Sequence, residues 1–468
     1  MTYEVDVVVI GAGPAGMAAA TAIARAGGAV VILDEQAAPG GQIYKGIEAV
    51  TDHRPADMSF FGEAYAKGAD VVEAFRAVCT DYRPVSTVWH ISSLGRGKRR
   101  EVIVSRDGTS DVLLTKFLVI ATGAVERPVP IPGWTLPGVM TMGAVQSALK
   151  SSGIYPEGKL VLAGSGPLML QLATQLIDAH VPIQAIVDTS PRGGFSRATR
   201  YLPGAWISFD TLMKGWKLRR KVNASGLPLY ASASHLAVRG EDRVTHLSFN
   251  ASGTKHEIEA NLVALHEGVI PNTQLTRLVE AKHAWDTRQR YFHPVTDRFG
   301  ETSESGIYAV GDSGRIEGAD AAVRSGAITG LAVAERLGLL VESARDLEAE
   351  EQRLRHFVVT AIRPFLDSYF PPPDWIGQIA DKVVICRCED VTAGQLRQAV
   401  AKGCSGPNQA KAFLRCGMGP CQGRMCASTV TEVIAAANGL SPSDVGSYRI
   451  RPPIKPVTLA EVAALHQE

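Results

Sequence analysis

The stretch VDVVVIGAGPAGMAAATAIARAGGAVVILDEQ, residues 5–36, leaves the N-terminal part of this chain little choice of fold. An apolar run suited to a strand buried on both faces leads into Gly11-x-Gly13-x-x-Gly16. An alanine-rich helix follows, and a second apolar run ends in Asp34 with Glu35 beside it. The first glycine permits a tight turn, the second lets backbone approach a pyrophosphate, and the third brings helix close to strand, with the helix N-terminus facing the phosphates. Asp34 stands 23 residues after Gly11, where a carboxylate can accept hydrogen bonds from a ribose hydroxyl. Strand, turn, helix and acid in register predict a complete dinucleotide-binding unit. The apolar run does not read as a secretory leader or a membrane span, because its start is acidic and Arg25 interrupts it.

Three further segments select FAD over NAD for this unit. After Asp34 comes PGGQIY, whose Gly40 and Gly41 let a loop pass close over a cofactor, with Gln42 a candidate to line the flavin. KFLVIATGAVERPVPIPG resembles the ATG element of flavin disulfide-reductase folds, with Thr122 and Gly123 at the crossing to the next domain. TSESGIYAVGDSGRIEGADAAVRSGAITG resembles their second flavin motif. There Asp312, after Gly311, is expected to bond the ribityl chain, and a helix beginning near Ala319 is expected to aim its N-terminal dipole at the reduced ring. The three occur in the expected order.

A second strand, turn, helix and strand pattern, KLVLAGSGPLMLQLATQLIDAHVPIQAIVDTS, lies between these halves. Gly164 and Gly166 are present, but Met169 occupies the third glycine position, where its bulk is expected to hold helix from strand and spoil approach to a pyrophosphate. Asp188 can still meet a ribose hydroxyl. The pattern therefore predicts a structural domain or an adenine-nucleotide site ahead of a working NAD(P) site.

Six of the seven cysteines fall within the 41 residues from Cys386 to Cys426. Such crowding in a chain without a visible secretion signal favours a metal role over disulfides. Cys386 and Cys388 end an apolar run, and on an extended strand residues two apart project from one face, so both thiolates can reach one metal centre. Cys421 and Cys426 can supply the other pair, although Cys416, five before Cys421, is an alternative partner, and Cys404 adds a further thiol. Gly419, Pro420 and Gly423 keep backbone amides free to point at sulfur. The tight C-x-C half disfavours zinc, whose structural sites pair cysteines more widely, and favours an iron-sulfur cluster. Cys79 stands apart and reads as a buried, inert thiol.

The signature CRCEDVT, GPNQ-K and GMGPCQGRMC resembles the small domain typified by bacterioferritin-associated ferredoxin, as carried by the flavoprotein A (alpha) subunits of heteromeric opine and amino-acid dehydrogenases. That family includes octopine and nopaline oxidase, D-hydroxyproline dehydrogenase, dye-linked L-proline dehydrogenase and the B subunit of hydrogen cyanide synthase, and the resemblance spans essentially the whole chain. It implies a 2Fe-2S cluster on Cys386, Cys388, Cys421 and Cys426. It also implies a partner B (beta) subunit with its own flavin that oxidises an amine C-N bond, a small third subunit in some complexes, and a quinone or other respiratory acceptor.

The expected fold is α/β. It has two Rossmann-like dinucleotide-binding domains of glutathione/thioredoxin-reductase type and a small helical C-terminal 2Fe-2S domain. Residues 1–127 and 290–345 are expected to form a discontinuous FAD domain, with 128–289 inserted as the second dinucleotide-type domain. A charged helix and a proline-rich linker (346–376), the cluster domain (377–440) and a tail (441–468) follow. Thr392 and Gln395 make a capping-box pattern before LRQAV, and Gly403 can end that helix. The tail, RIRPPIKPVTLAEVAALHQE, is expected to pack back across other domains.

With 48 basic and 47 acidic residues the chain has no net field for nucleic acid. No apolar run reaches membrane-spanning length, so a cytoplasmic location is expected, with peripheral attachment at the inner membrane as the variant. No dithiol pair stands beside the flavin motifs, no nucleophile elbow or hydrolytic triad is recognisable, and His180, His266 and His293 read as ordinary histidines, so no catalytic side chain is assigned. An electron-transfer flavoprotein subunit of an amine (opine, proline-type or glycine-type) dehydrogenase is expected. A self-contained NAD(P)H-dependent FAD/2Fe-2S reductase is the alternative.

Overall fold

The computed structural model describes residues 2–94 and 99–466. Strands β1 (Thr2–Ile10), β2 (Val30–Leu33), β3 (Asp81–Arg83), β4 (Thr87–Leu94), β5 (Arg99–Arg106) and β6 (Thr109–Ile120) form one sheet in the order β3-β2-β1-β6-β5-β4. The four strands from β3 to β6 across β1 are parallel. That explains the unbroken apolar run of β1, where Val7, Val8 and Val9 are fully buried, Val7 and Val9 on the face of the Pro14–Arg25 helix and Val8 on the face shared with Val88, Ile91 and Val102 of β4 and β5. On the edge away from β1, the long β6 serves two partners. Its first half pairs antiparallel with β5, Arg106 opposite Thr109, and its second half pairs parallel with the distant Ile307–Ala309 strand, Leu118 opposite Ile307.

A second parallel sheet comprises β7 (Val139–Thr141), β8 (Leu160–Ser165), β9 (Ile183–Asp188), β10 (Leu229–Tyr230) and β11 (Leu262–Glu267), in the order β10-β9-β8-β11-β7. The chain passes between the two sheets twice, at Ala124–Glu126 and Val269–Pro271, and these segments pair with each other. This arrangement is the expected α/β fold with two dinucleotide-binding units.

The first unit is held by a helix pair with almost no side chain between its members. The Pro14–Arg25 and Ala319–Arg336 helices approach so closely that a methyl group on Gly326 would overlap the Ala15 carbonyl. One on Gly330 would stand 2.5 Å from the Ala19 oxygen and 2.7 Å from Ala22 Cβ. This contact seats the first phosphate turn against the GD motif, two segments almost three hundred residues apart.

Beyond the Glu342–Thr360 and Arg363–Tyr369 helices, the C-terminal unit begins with a short hairpin, Val384–Cys386 against Val391–Thr392. The helices Ala393–Ala401, Pro407–Leu414 and Ala427–Asn438 follow. The predicted capping box is present, with Gln395 N donating to Thr392 Oγ1 at 3.3 Å and Thr392 N to Gln395 Oε1 at 2.8 Å. Three polar contacts dock this unit on the rest. Trp134 Nε1 donates to the Val384 carbonyl at 2.7 Å, Gln274 Nε2 to the Gln422 carbonyl at 2.9 Å, and Arg290 Nε to the buried Glu432 at 3.0 Å. The tail does pack back: Ile454 N donates to the Trp89 carbonyl at 3.0 Å, and Lys455 pairs with Glu35 at 2.6 Å. Among the described residues, no helix is long and apolar enough to cross a membrane.

Replacing Gly330 by Val forces these helices apart and is expected to cost about 1–3 kcal/mol in denaturant unfolding. Gly215 lies exposed in the Phe209–Ala224 helix with open space around it, and Gly215→Ala is expected to add roughly 0.5–1 kcal/mol. Equal effects of the two changes would contradict this packing.

Candidate functional site

At the end of β1, the fold makes a backbone cradle. A side chain on Gly16 would overlap the Gly11 carbonyl, and one on Gly41 would lie 2.9 Å from Gly13 Cα, so the PGGQIY loop closes directly over the phosphate turn. Gly40 N fixes that closure by donating to the Ala12 carbonyl at 2.8 Å. Beneath the loop lies Lys150, 1% exposed, donating to the Ile43 carbonyl at 2.9 Å and to Gln146 Oε1 at 3.0 Å. Its burial without a carboxylate pushes the ammonium down to about 7. Sequence reading missed Lys150, since nothing local marks a lysine on an amphipathic helix as buried. Gln42 turns its side chain outward, accepting from Ser147 Oγ at 3.1 Å.

Asp34 is committed to the turn. Its carboxylate accepts from Ala12 N at 2.5 Å and Gln36 N at 2.7 Å, and burial raises its pKa although both amides lower it. Glu35 stands at the rim against Lys455. Thr122 Oγ1 donates to the Asn272 carbonyl at 3.3 Å, and Asn272 N donates to the Gly123 carbonyl at 3.0 Å, where the two crossings meet. Gly311 N donates to Ser325 Oγ at 3.1 Å. Asp312 takes the Glu317 and Gly318 amides on a single oxygen, Oδ1, at 3.0 and 3.2 Å. Its other oxygen has no protein donor among the described residues. The eleven sequence-predicted cofactor residues thus lie on the phosphate turn, just past the end of β2, on the covering loop, at the crossing and on the Gly311–Ser313 turn ahead of the Ala319–Arg336 helix.

The second turn is differently furnished. Met169 packs into the core at 2% exposure, and a side chain on Gly164 would overlap the His266 carbonyl. His266 is buried, as an ordinary structural histidine should be, with Nδ1 2.7 Å from Glu126 Oε1. Next to it Glu267, 5% exposed, accepts from Thr189 Oγ1 at 2.7 Å, and burial pushes its carboxyl up to about 7. Asp188 spends its carboxylate on Ser190 N.

In the C-terminal unit, five thiols from three segments converge. The sulfurs of Cys386, Cys416 and Cys426 lie within 4.8 Å of one another and are buried. Hydrogen bonds from Cys416 and then Cys426 hold the Cys386 thiol down to about 2, while Cys416 is pushed up to about 12, chiefly by that same bond to Cys386. Three buried sulfurs this close form a set in which a metal ion can replace the thiol protons. The remaining two predicted ligands pair separately. The strand stops at Cys386, so Cys388 sits in the following turn, exposed, facing the backbone and thiol of Cys421. The extended-strand expectation for Cys388 therefore does not hold, because the chain turns at 387–390 through Asp390 with φ 49°. Only glycine at 419 lets the loop close on Cys388, since a side chain there would overlap its Cβ. The amides reaching Cys386 belong to Gly417 and Glu389, not to the glycines expected from sequence. Cys426 caps the Ala427–Asn438 helix, so its sulfur lies at the positive end of that dipole. Cys404 is buried near the Gly406 carbonyl, and burial pushes the isolated Cys79 thiol up to about 11.

Comparison with known proteins gives the same two parts. Residues 5–326 match the family described as pyridine nucleotide-disulphide oxidoreductase, and residues 380–466 match the sarcosine oxidase A3 domain. The A subunit of opine oxidase from Agrobacterium tumefaciens is 42% identical over 467 residues, spanning 98% of this chain and 92% of that protein. Hydrogen cyanide synthase subunit HcnB of Pseudomonas aeruginosa is 30% identical over 474 residues, spanning 98% and 99%. The solved L-proline dehydrogenase from P. horikoshii superposes with a TM-score of 0.72 at 19% identity, covering 98% of this chain and 80% of that one.

Glu267 has a pH signature. The folded chain holds this proton more tightly than the unfolded one, so its stabilisation is full below about pH 4.5 and is lost as pH rises to about 7. Glu267→Gln keeps the Thr189 bond without the charge. It is expected to raise stability at pH 8 by roughly 1–3 kcal/mol and leave it unchanged near pH 4.5, measured by denaturant unfolding.

Proposed function

Because this chain belongs to the family of the opine oxidase A subunits, we propose that it is the FAD-dependent electron-transfer subunit of a heteromeric amine dehydrogenase, with a 2Fe-2S cluster as its outlet. Its partner is a flavin-containing B subunit that oxidises an opine, a proline-type amino acid or a glycine-type amine, and its acceptor is a quinone or another respiratory carrier. The observation that carries this reading is the coexistence, in one chain of this family, of a complete flavin cradle and a nest of five converging cysteines.

In this reading residues 1–127 and 290–345 hold the FAD, which when bound accepts electron pairs and releases single electrons. The Gly11, Gly13 and Gly16 turn and the Gly41 loop admit the pyrophosphate. Asp34, occupied by two amides, braces that turn, and Glu35, one residue on and at the rim, becomes the candidate acid for the ribose. Asp312 Oδ2 is left to receive a flavin hydroxyl, and its bonds to Glu317 and Gly318 N orient the start of the Ala319–Arg336 helix. Thr122 and Gly123 complete the lining, while the Gln42 side chain is turned away toward Ser147. Lys150 holds the covering loop from beneath and keeps water out of its base.

The donor set of the C-terminal unit fits a 2Fe-2S cluster, which would supply a one-electron outlet. Cys386 with Cys426, and Cys388 with Cys421, would hold it. Cys416 is then a fifth, neutral thiol against the first pair. At the second turn, Met169 and the buried Glu267 argue against NAD(P)H, because bulk stands where the helix must approach and an acid stands beside the phosphate turn.

Three outcomes are expected. The complex with the B subunit should oxidise its amine at least a hundredfold faster than the isolated chain, whereas equal rates would refute the relay. Anaerobic NADH or NADPH should leave the flavin absorbance unbleached over many minutes. Cys421→Ser should remove the cluster signal while FAD content stays at wild-type level, and loss of both together would argue against separate sites.

A further inference from the structure

We propose that Tyr448, delivered by the C-terminal tail, is the hydrogen-bond donor that raises the reduction potential of the cluster. The inference rests on the cluster reading above and adds a residue outside the ligand set and its loops.

Tyr448 is 2% exposed, and its hydroxyl lies 3.7 Å from the ligand sulfur Cys426 Sγ, which as a metal-bound thiolate can only accept, so that the tyrosine is the donor; the same hydroxyl is 3.4 Å from the neutral Cys416 Sγ. Hydrogen bonding to a sulfur that carries negative charge stabilises the reduced, more negative state of an iron-sulfur centre more than the oxidised state, so it moves the potential upward. In a buried site this effect is large, because little water competes for the sulfur.

The seat of Tyr448 accounts for signature residues that hold no metal. Its ring lies on Gly417 and Gly423, where an added Cβ would come within 2.5 and 2.7 Å of ring carbons, so the GMGPCQG glycines make room for an aromatic ring. In GPNQ-K, Asn408 brackets Tyr448 on both sides, its Nδ2 donating to the Ser447 carbonyl at 3.4 Å and its Oδ1 accepting from Arg449 N at 2.8 Å. Lys411 Nζ donates to the Arg449 carbonyl at 2.7 Å and lies 5.1 Å from the ring centroid. The Pro407–Leu414 helix thus holds one tail residue in place from two directions. The same tail continues to Lys455 and Glu35 at the rim of the flavin cradle.

The test uses the full holo chain. Iron and sulfide content are measured first, and wild-type protein without iron overturns the cluster reading and this proposal with it. Tyr448→Phe keeps the ring on its two glycines and removes only the hydroxyl. With wild-type iron and FAD content, it is expected to lower the midpoint potential of the cluster in an EPR-monitored redox titration, leaving the flavin potential unchanged. An unshifted cluster potential in an iron-replete variant overturns the proposal. If Tyr448→Phe fails to assemble the cluster, 3-fluorotyrosine placed at 448 decides: its more acidic hydroxyl donates more strongly and should raise the potential, and an unshifted value again overturns the proposal.

Discussion

Three sulfurs, those of Cys386, Cys416 and Cys426, buried within 4.8 Å of one another impose the constraint on which the C-terminal unit depends. Thiolates that close repel one another, and burial penalises each charge. In the proposed function a bound metal would relieve that conflict, and the free energy gained would become folding free energy of the loops that carry the ligands. The segments that meet there are otherwise short and glycine-rich, with the hairpin limited to Val384–Cys386 and Val391–Thr392. Their placement comes from the apolar packing of the Ala427–Asn438 helix and from contacts to the flavin half, above all Glu432 with Arg290.

The flavin half solves a different problem, that of bringing backbone close to phosphate and dinucleotide. It does so by removing side chains where helices and loops meet: Gly16 on Gly11, Gly41 on Gly13, Gly326 on Ala15. The two halves are joined by polar contacts between buried or half-buried groups, such as Gln274 to the Gln422 carbonyl, one residue past Cys421. The tail passes from the sulfurs at Tyr448 to the cradle rim at Lys455 and makes a second connection. The proposed relay needs its two centres at fixed separation, a requirement that both connections would serve.

Much of this was legible in the sequence because it is local. The phosphate turn and the capping box at Thr392 are set by residues a few positions apart, and the structure shows each where spacing puts it. Cys388 departs from the strand geometry because the strand is shorter than its apolar run suggests. Cys416 joins Cys386 and Cys426 through tertiary folding, which spacing leaves open. Asp34 was readable as an acid at the right distance, but not as one whose oxygens are taken by amides. Lys150, Glu267 and Tyr448 carry no local mark at all, since their burial comes from segments remote in the chain.

The central claim is that this polypeptide holds a flavin and an iron-sulfur cluster at once. Its most direct test is elemental and acid-labile sulfide analysis, against flavin, of the full chain purified without oxygen. The proposed function predicts two irons and two sulfides for each FAD, whereas zinc in place of iron, or flavin with neither iron nor sulfide, would contradict it.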